Sequence, residues 1–210
     1  MAQETPIEFT RQIDGFTNQR CGNHVVVDAG GSVIGHVVLD TGHEYIGSVA
    51  QTDLSCDGFT RPANINQYHA GDVVSNGVTA MMEFADAVRE VGGSGWIVGA
   101  TVWSDRKASV QNLVLKLFRV NTIVCPADHA LDTVLWANRG QFIGEIDMGP
   151  MVPGADTVNS TASRAQNFNI RIGFEADPAD TSIYGYFYTK TTDTPASQEQ
   201  FYCCLRFEKN

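Results

Sequence analysis

From Trp96 to Asn210 the chain is written in twos. Phe168, Ile170, Ile172 and Phe174 alternate with Asn167, Asn169, Arg171 and Gly173. Phe201, Cys203, Leu205 and Phe207 alternate with Tyr202, Cys204, Arg206 and Glu208. Within residues 110–120, Leu113, Leu115 and Leu117 share one face and Lys116 takes the other. A period of two is the spacing of a strand with one face on a core and the other on water. Residues 96–103 are a β-favouring run, and residues 182–189 are an aromatic strand built on Tyr184, Tyr186, Phe187 and Tyr188. Residues 133–137 and 141–148 read as a strand pair about an Asn138-Arg139-Gly140 turn. Many such strands with loops between them predict an all-β fold, an antiparallel β-sandwich of jelly-roll-like type. Residues 148–165, with Pro150, Pro153 and Gly154, are expected to form a long loop between sheets or against a partner.

Upstream, residues 59–76 join two differently composed regions. Pro62 fixes its own φ and biases Arg61 toward extended backbone. Tyr68 and His69 then lead into an Ala70-Gly71-Asp72 turn and a strand start at Val73-Val74. Before this hinge, Val25-Val26-Val27 and residues 33–39 are β-branched runs joined across Asp28-Ala29-Gly30-Gly31, the pattern of a hairpin. Residues 45–49 suggest a third short strand. So small a sheet is marginal alone and needs something to pack against. The expected division is an N-terminal arm or small β region over 1–56 and a sandwich over 57–210. Residues 79–91 fit a helical stripe through Met81, Phe84, Ala85 and Val88, but the Gly92-Gly93-Ser94-Gly95 turn and the strands downstream favour extended chain.

The formal net charge is −10, and Lys and Arg form no basic stripe, which argues against nucleic-acid binding. No Lys or Arg occurs from Cys21 to Thr60. That acidity reads as solubility, or as a surface facing a partner of opposite potential. No apolar run is long enough to span a bilayer, and the first residues lack a signal-peptide pattern, so synthesis in a cytoplasm is expected. Five cysteines at irregular spacing make no disulfide framework, and most are expected to be free, buried or half-buried thiols. Cys203 and Cys204, being adjacent in a strand, are expected on opposite faces.

Enzyme motifs are incomplete. His43-Glu44 opens a metalloprotease pattern, but Gly47 stands where the second histidine should be. Neither a phosphate-binding loop nor a nucleophile elbow is present. The five histidines have no ligand spacing, and no cofactor or metal is expected. Asn159-Ser160-Thr161 has the form of a glycosylation sequon, without consequence for a chain outside a secretory pathway. Tyr184, Tyr186 and Tyr188 suit either a packed core and its rim or a sugar-binding face. Glu83, Asp105, Asp147 and Glu175 are carboxylates that only folding could bring together.

Residues 59–63 (Phe-Thr-Arg-Pro-Ala) and 68–74 (Tyr-His-Ala-Gly-Asp-Val-Val) resemble a segment of tailed-bacteriophage virion structural proteins of the capsid decoration, or cement, type. The likeness continues through residues 84–89, 92–95, 135–139, 143–147, 169–172, 183–185, 194–197 and 200–202. None of these motifs is catalytic. The resemblance implies a non-enzymatic protein of the outer capsid surface, bound to the major capsid protein and stabilising the shell, with trimers favoured. The N-terminal region lies outside the likeness and is expected to carry the capsid contact, through Val25, Val26, Val27, Asp28, Val33, Ile34, Val37, Val38, Leu39 and Asp40. The alternative is a carbohydrate- or receptor-binding module on the virion surface.

Overall fold

The computed structural model describes residues 25–27, 33–36, 52–77, 81–154 and 162–210. The chain divides into two compact units, Met1–Ser48 and Val49–Asn210. In the first, strands β1 (Val25–Val27) and β2 (Val33–His36) pair antiparallel, with Val25 opposite His36 and Val26 opposite Gly35. This is the hairpin that the two β-branched runs predict. Asp28, Val37, Val38, Leu39, Asp40 and the strand expected over residues 45–49 lie outside the described residues, as does Asn159-Ser160-Thr161.

In the second unit most of the period-two segments become strands, but the run from Phe168 to Phe174 does not form a single one, because residues 168–171 are not strand and Phe168 is exposed. The first strands are β3 (Thr52–Thr60), β4 (Val73–Val74), β5 (Met82–Phe84), β6 (Ser94–Ser104) and β7 (Asn112–Phe118). After them come β8 (Phe142–Pro150), β9 (Val152–Pro153), β10 (Ser163–Asn167), β11 (Ile172–Glu175), β12 (Ile183–Thr189) and β13 (Gln200–Lys209). One sheet has the order β3-β13-β6-β10-β9 with β11 also on β6, and the other β4-β12-β7-β8 with β5 also on β12. The pairs β3–β13, β4–β12, β6–β10 and β7–β8 are what a long antiparallel hairpin makes when it is folded over itself. The architecture is an all-β sandwich of two antiparallel sheets.

Between the sheets lies a core in which Phe201, Cys203, Leu205 and Phe207 of β13 meet Leu113, Leu115 and Leu117 of β7. The alternation in β13 therefore lands as predicted, and Cys203 and Cys204 do point to opposite faces. β7 and β12 behave differently: they are buried on both faces. Segment 119–141 folds over the outer side of the second sheet, where Ile123 and Cys125 join Phe118, Val73 and Tyr186 in a second apolar cluster.

Several expectations are corrected. Residues 133–137 are not a strand. Trp136–Asn138 is a 3-10 turn, Leu135 and Trp136 are exposed, and β8 pairs with β7 instead. The stretch 148–165 is not wholly loop, because β9 and β10 pair within it and β10 then joins β6. Its small, mixed residues form strand because Ser163 and Ala165 fit beneath the sheet while Arg164 and Gln166 face out. Cys56 and Cys204 are not free thiols but a disulfide between β3 and β13, where register sets them directly opposite at a Cα separation of 4.1 Å. Strand β3 runs unbroken across position 56, so residues 52–56 are part of the sandwich sheet. Met82–Phe84 is extended, as expected, before the chain turns at Asp86 (φ 52°).

Candidate functional site

The outward face of the first sheet carries the least expected side chains. Register places Gly58, Tyr202, Trp103 and Arg164 in one row across four strands, and Cys56, Cys204, Thr101 and Gln166 in the next. Leu54, Arg206 and Gly99 form a third row, and Trp96 lies beyond it beside Glu208 and Gly173. These are positions where alternation calls for polar residues. Leu54, Trp96, Trp103 and Tyr202 are nevertheless all exposed there, and Phe168, which alternation grouped with the apolar Ile170, Ile172 and Phe174, is exposed over the same face.

Glycines let the rings approach the sheet. A Cβ on Gly99 would come 2.6 Å from the Phe168 ring, and one on Gly173 would come 3.1 Å from the Trp96 indole. Arginines lie over the rings. Arg171 stands 4.7 Å from the Trp96 ring centroid, Arg206 5.3 Å from Phe168 and Arg164 5.5 Å from Trp103. Arg171 also pairs with Glu208 at 3.3 Å, whereas Arg164 and Arg206 pair with no carboxylate among the described residues. An acidic protein thus presents a cationic, aromatic patch of the composition that dominates binding energy in protein interfaces.

Several buried charged groups, by contrast, are tied to one another. Arg61 donates to Asp128, Tyr68 and the Ala196 carbonyl, Tyr68 donates to Asp128 at 2.5 Å, and His129 stacks on Tyr68. Arg106 pairs with Asp193 and Glu199, and Glu199 also accepts from Ser104. Lys116, sealed beneath segment 119–141, pairs with Asp132 and Glu145. These groups anchor loops to the sheets. Burial, reinforced by Asp132, pushes the Cys125 thiol up to about 12, and burial pushes Cys203 higher still, so both stay protonated and are poor nucleophiles.

Of the residues singled out in the sequence, Tyr184 and Tyr186 are buried and Tyr188 is half-buried. Their hydroxyls donate to Asp180, Asp132 and Glu145, so they form no open sugar-binding face. Glu83, Asp105 and Asp147 sit on separate elements with separate partners: Ser182, the Gln200 amide and Lys190. Glu175 ends β11 and is exposed. Among the described residues no group of three His, Cys, Asp or Glu could hold a metal ion. Val25, Val26, Val27, Val33 and Ile34 lie on the β1–β2 hairpin. Sequence reasoning missed the outward face, although large apolar residues at polar-phase positions, such as Tyr202 opposite the buried Cys203, were its signal.

Fold and face together define an all-β sandwich that displays an exposed aromatic–arginine sheet. No known protein family matches the chain, and no curated protein is similar to it.

Proposed function

We propose that this protein is a non-enzymatic component of a phage virion surface, a decoration protein that binds the major capsid protein and stabilises the shell. The observation that carries the reading is the outward face of the first sheet. Trp96, Trp103, Phe168 and Tyr202 expose apolar rings beside Arg164 and Arg206, which pair with no carboxylate among the described residues. Burying such rings against a partner gains roughly 25 cal/mol per Å² of apolar surface, and the arginines select an acidic partner surface. The β1–β2 hairpin is the second contact of this proposal, and trimeric assembly would multiply both contacts through avidity.

The test is binding to purified capsids. The full chain should bind saturably and raise the temperature at which the shell opens. Replacing Trp103 and Tyr202 by Ala and Arg164 by Glu should abolish binding while leaving the fold intact. Removing residues 1–48, which leaves β3 whole, measures the share of the N-terminal unit. Failure of the full chain to bind any shell refutes the reading.

A further inference from the structure

Where β6 and β11 of one sheet approach the start of β8 in the other, a cavity of about 470 Å³ lies at the end of the sandwich. Arg119, directly after β7, forms part of its wall. The Arg119 backbone amide donates to the Gln141 carbonyl, and its Nη2 donates to the Ala176 carbonyl at 2.9 Å, which holds the guanidinium at one side. Its Nε is buried with no acceptor, and the guanidinium pairs with no carboxylate among the described residues. The other buried cations differ: Arg61 has Asp128, Arg106 has Asp193 and Glu199, and Lys116 has Asp132 and Glu145.

A half-buried cation without counter-charge is costly, and the planar fork of a guanidinium takes a carboxylate through two parallel hydrogen bonds. The remaining wall is mixed. Phe142, 38% exposed, supplies an apolar ring, while Glu175 and the Ser94–Asn210 pair, whose side chains bond each other at 3.0 Å, supply hydrogen-bonding groups. Glu175 is suited to accepting hydroxyls and would repel a second anion. A ligand that satisfies all of these carries one carboxylate, several hydroxyls and a ring with an apolar face.

We propose that this cavity binds a carboxylate-bearing sugar, a uronic acid or the uronate end of a glycan. Its carboxylate lies on Arg119, its hydroxyls on Ser94, Asn210 and Glu175, and its ring against Phe142. Trp96 lines both this cavity and the outward face, but the proposal does not depend on the shell-binding reading, because its ligand is small and its site needs no second protein.

Calorimetric titration of the full chain with methyl β-D-glucuronide, methyl β-D-glucoside and acetate tests it. The glucuronide should bind at least about tenfold more tightly than either control, the difference expected for a charge-assisted pair. Arg119→Gln should remove that advantage, with the fold verified by circular dichroism. If Arg119→Gln does not fold, Phe142→Ala, at an exposed position, reports in its place by losing affinity for the glucuronide. Equal binding of glucuronide and glucoside overturns the proposal, as does acetate binding as well as the glucuronide. So does a glucuronide affinity that neither substitution changes.

Discussion

Trp96 and Trp103 stand an odd number of positions apart on β6, yet both indoles face outward from the same side of the sheet. Strict alternation would put them on opposite faces. A bulge at Val98, where Arg206 pairs with Gly99 and Phe207 with Ile97, resets the phase between them. The core keeps Ile97, Ala100 and Val102, and the surface receives both tryptophans. With Trp136 at 79% exposure, all three tryptophans of the chain are solvent-accessible. Acrylamide should therefore quench most of the fluorescence of the free protein. In a Trp136→Phe background, shell binding should protect the remaining emission. Unchanged quenching in the bound state would show that the outward face is not the contact.

Arg61 and Asp128, at 0% and 4% side-chain exposure, form a buried ion pair that holds the hinge onto segment 119–141. Arg61→Met leaves Asp128 desolvated and partly unpaired. A loss of about 3–5 kcal/mol is expected in urea unfolding. A loss below about 1 kcal/mol would mean that the cluster is not the anchor described.

The Cys56–Cys204 bond ties the edge strand β3 to β13 across a sequence separation of 148. Closing so long a loop restricts the unfolded chain, which is worth about 2–4 kcal/mol. Reduction, or Cys56→Ser with Cys204→Ser, should lower the melting temperature on the order of 5–15 °C. Non-reducing peptide mapping should recover residues 56 and 204 on one linked fragment, and finding both as free thiols would refute the pairing.

Gly99 makes room for Phe168. Gly99→Ala should cost about 1–3 kcal/mol through overpacking. Adding Phe168→Ala should recover most of that cost, because the clash disappears with the ring. Additive losses in the double variant would place the strain elsewhere.

Tyr184 and Asp180 set opposite pH limits on one hydrogen bond of 2.5 Å. Burial and the bond to Asp180 raise the Tyr184 phenol to about 12, and the same bond holds the Asp180 carboxyl below its usual range. The phenol's contribution is full below its unfolded value of about 10 and is lost as pH rises through about 12. The carboxylate's contribution is full above its unfolded value of about 4 and is lost as pH falls through its lowered folded value. Tyr184→Phe should flatten both limbs of the urea midpoint measured against pH. A profile identical to that of the parent chain would count against the bond. Burial likewise raises Tyr188 to about 12, with help from Glu145, so absorbance at 295 nm should show two phenols ionising there.

Residue patterns alone were enough to read an all-β chain, the core-facing sides of β7 and β13, and the pairing of Val25–Val27 with the run from Val33 as a hairpin. Those properties are local: a period of two, β-branched residues and glycine-rich turns act through neighbouring residues. The remaining features arise from contacts between residues distant in sequence. Lys116 was legible as a residue facing away from Leu115, but its burial depends on segment 119–141 closing over it. Arg61, Tyr68 and Asp128 meet across about sixty positions, and Cys56 meets Cys204 because β3 and β13 are neighbours in register. The outward aromatic face was hidden for the same reason. A bulge at Val98 and glycines on adjacent strands place its rings, and neither effect exists until strands pair. Alternation settles which side of a strand a residue occupies, but the partners waiting on that side are set by how the strands come together.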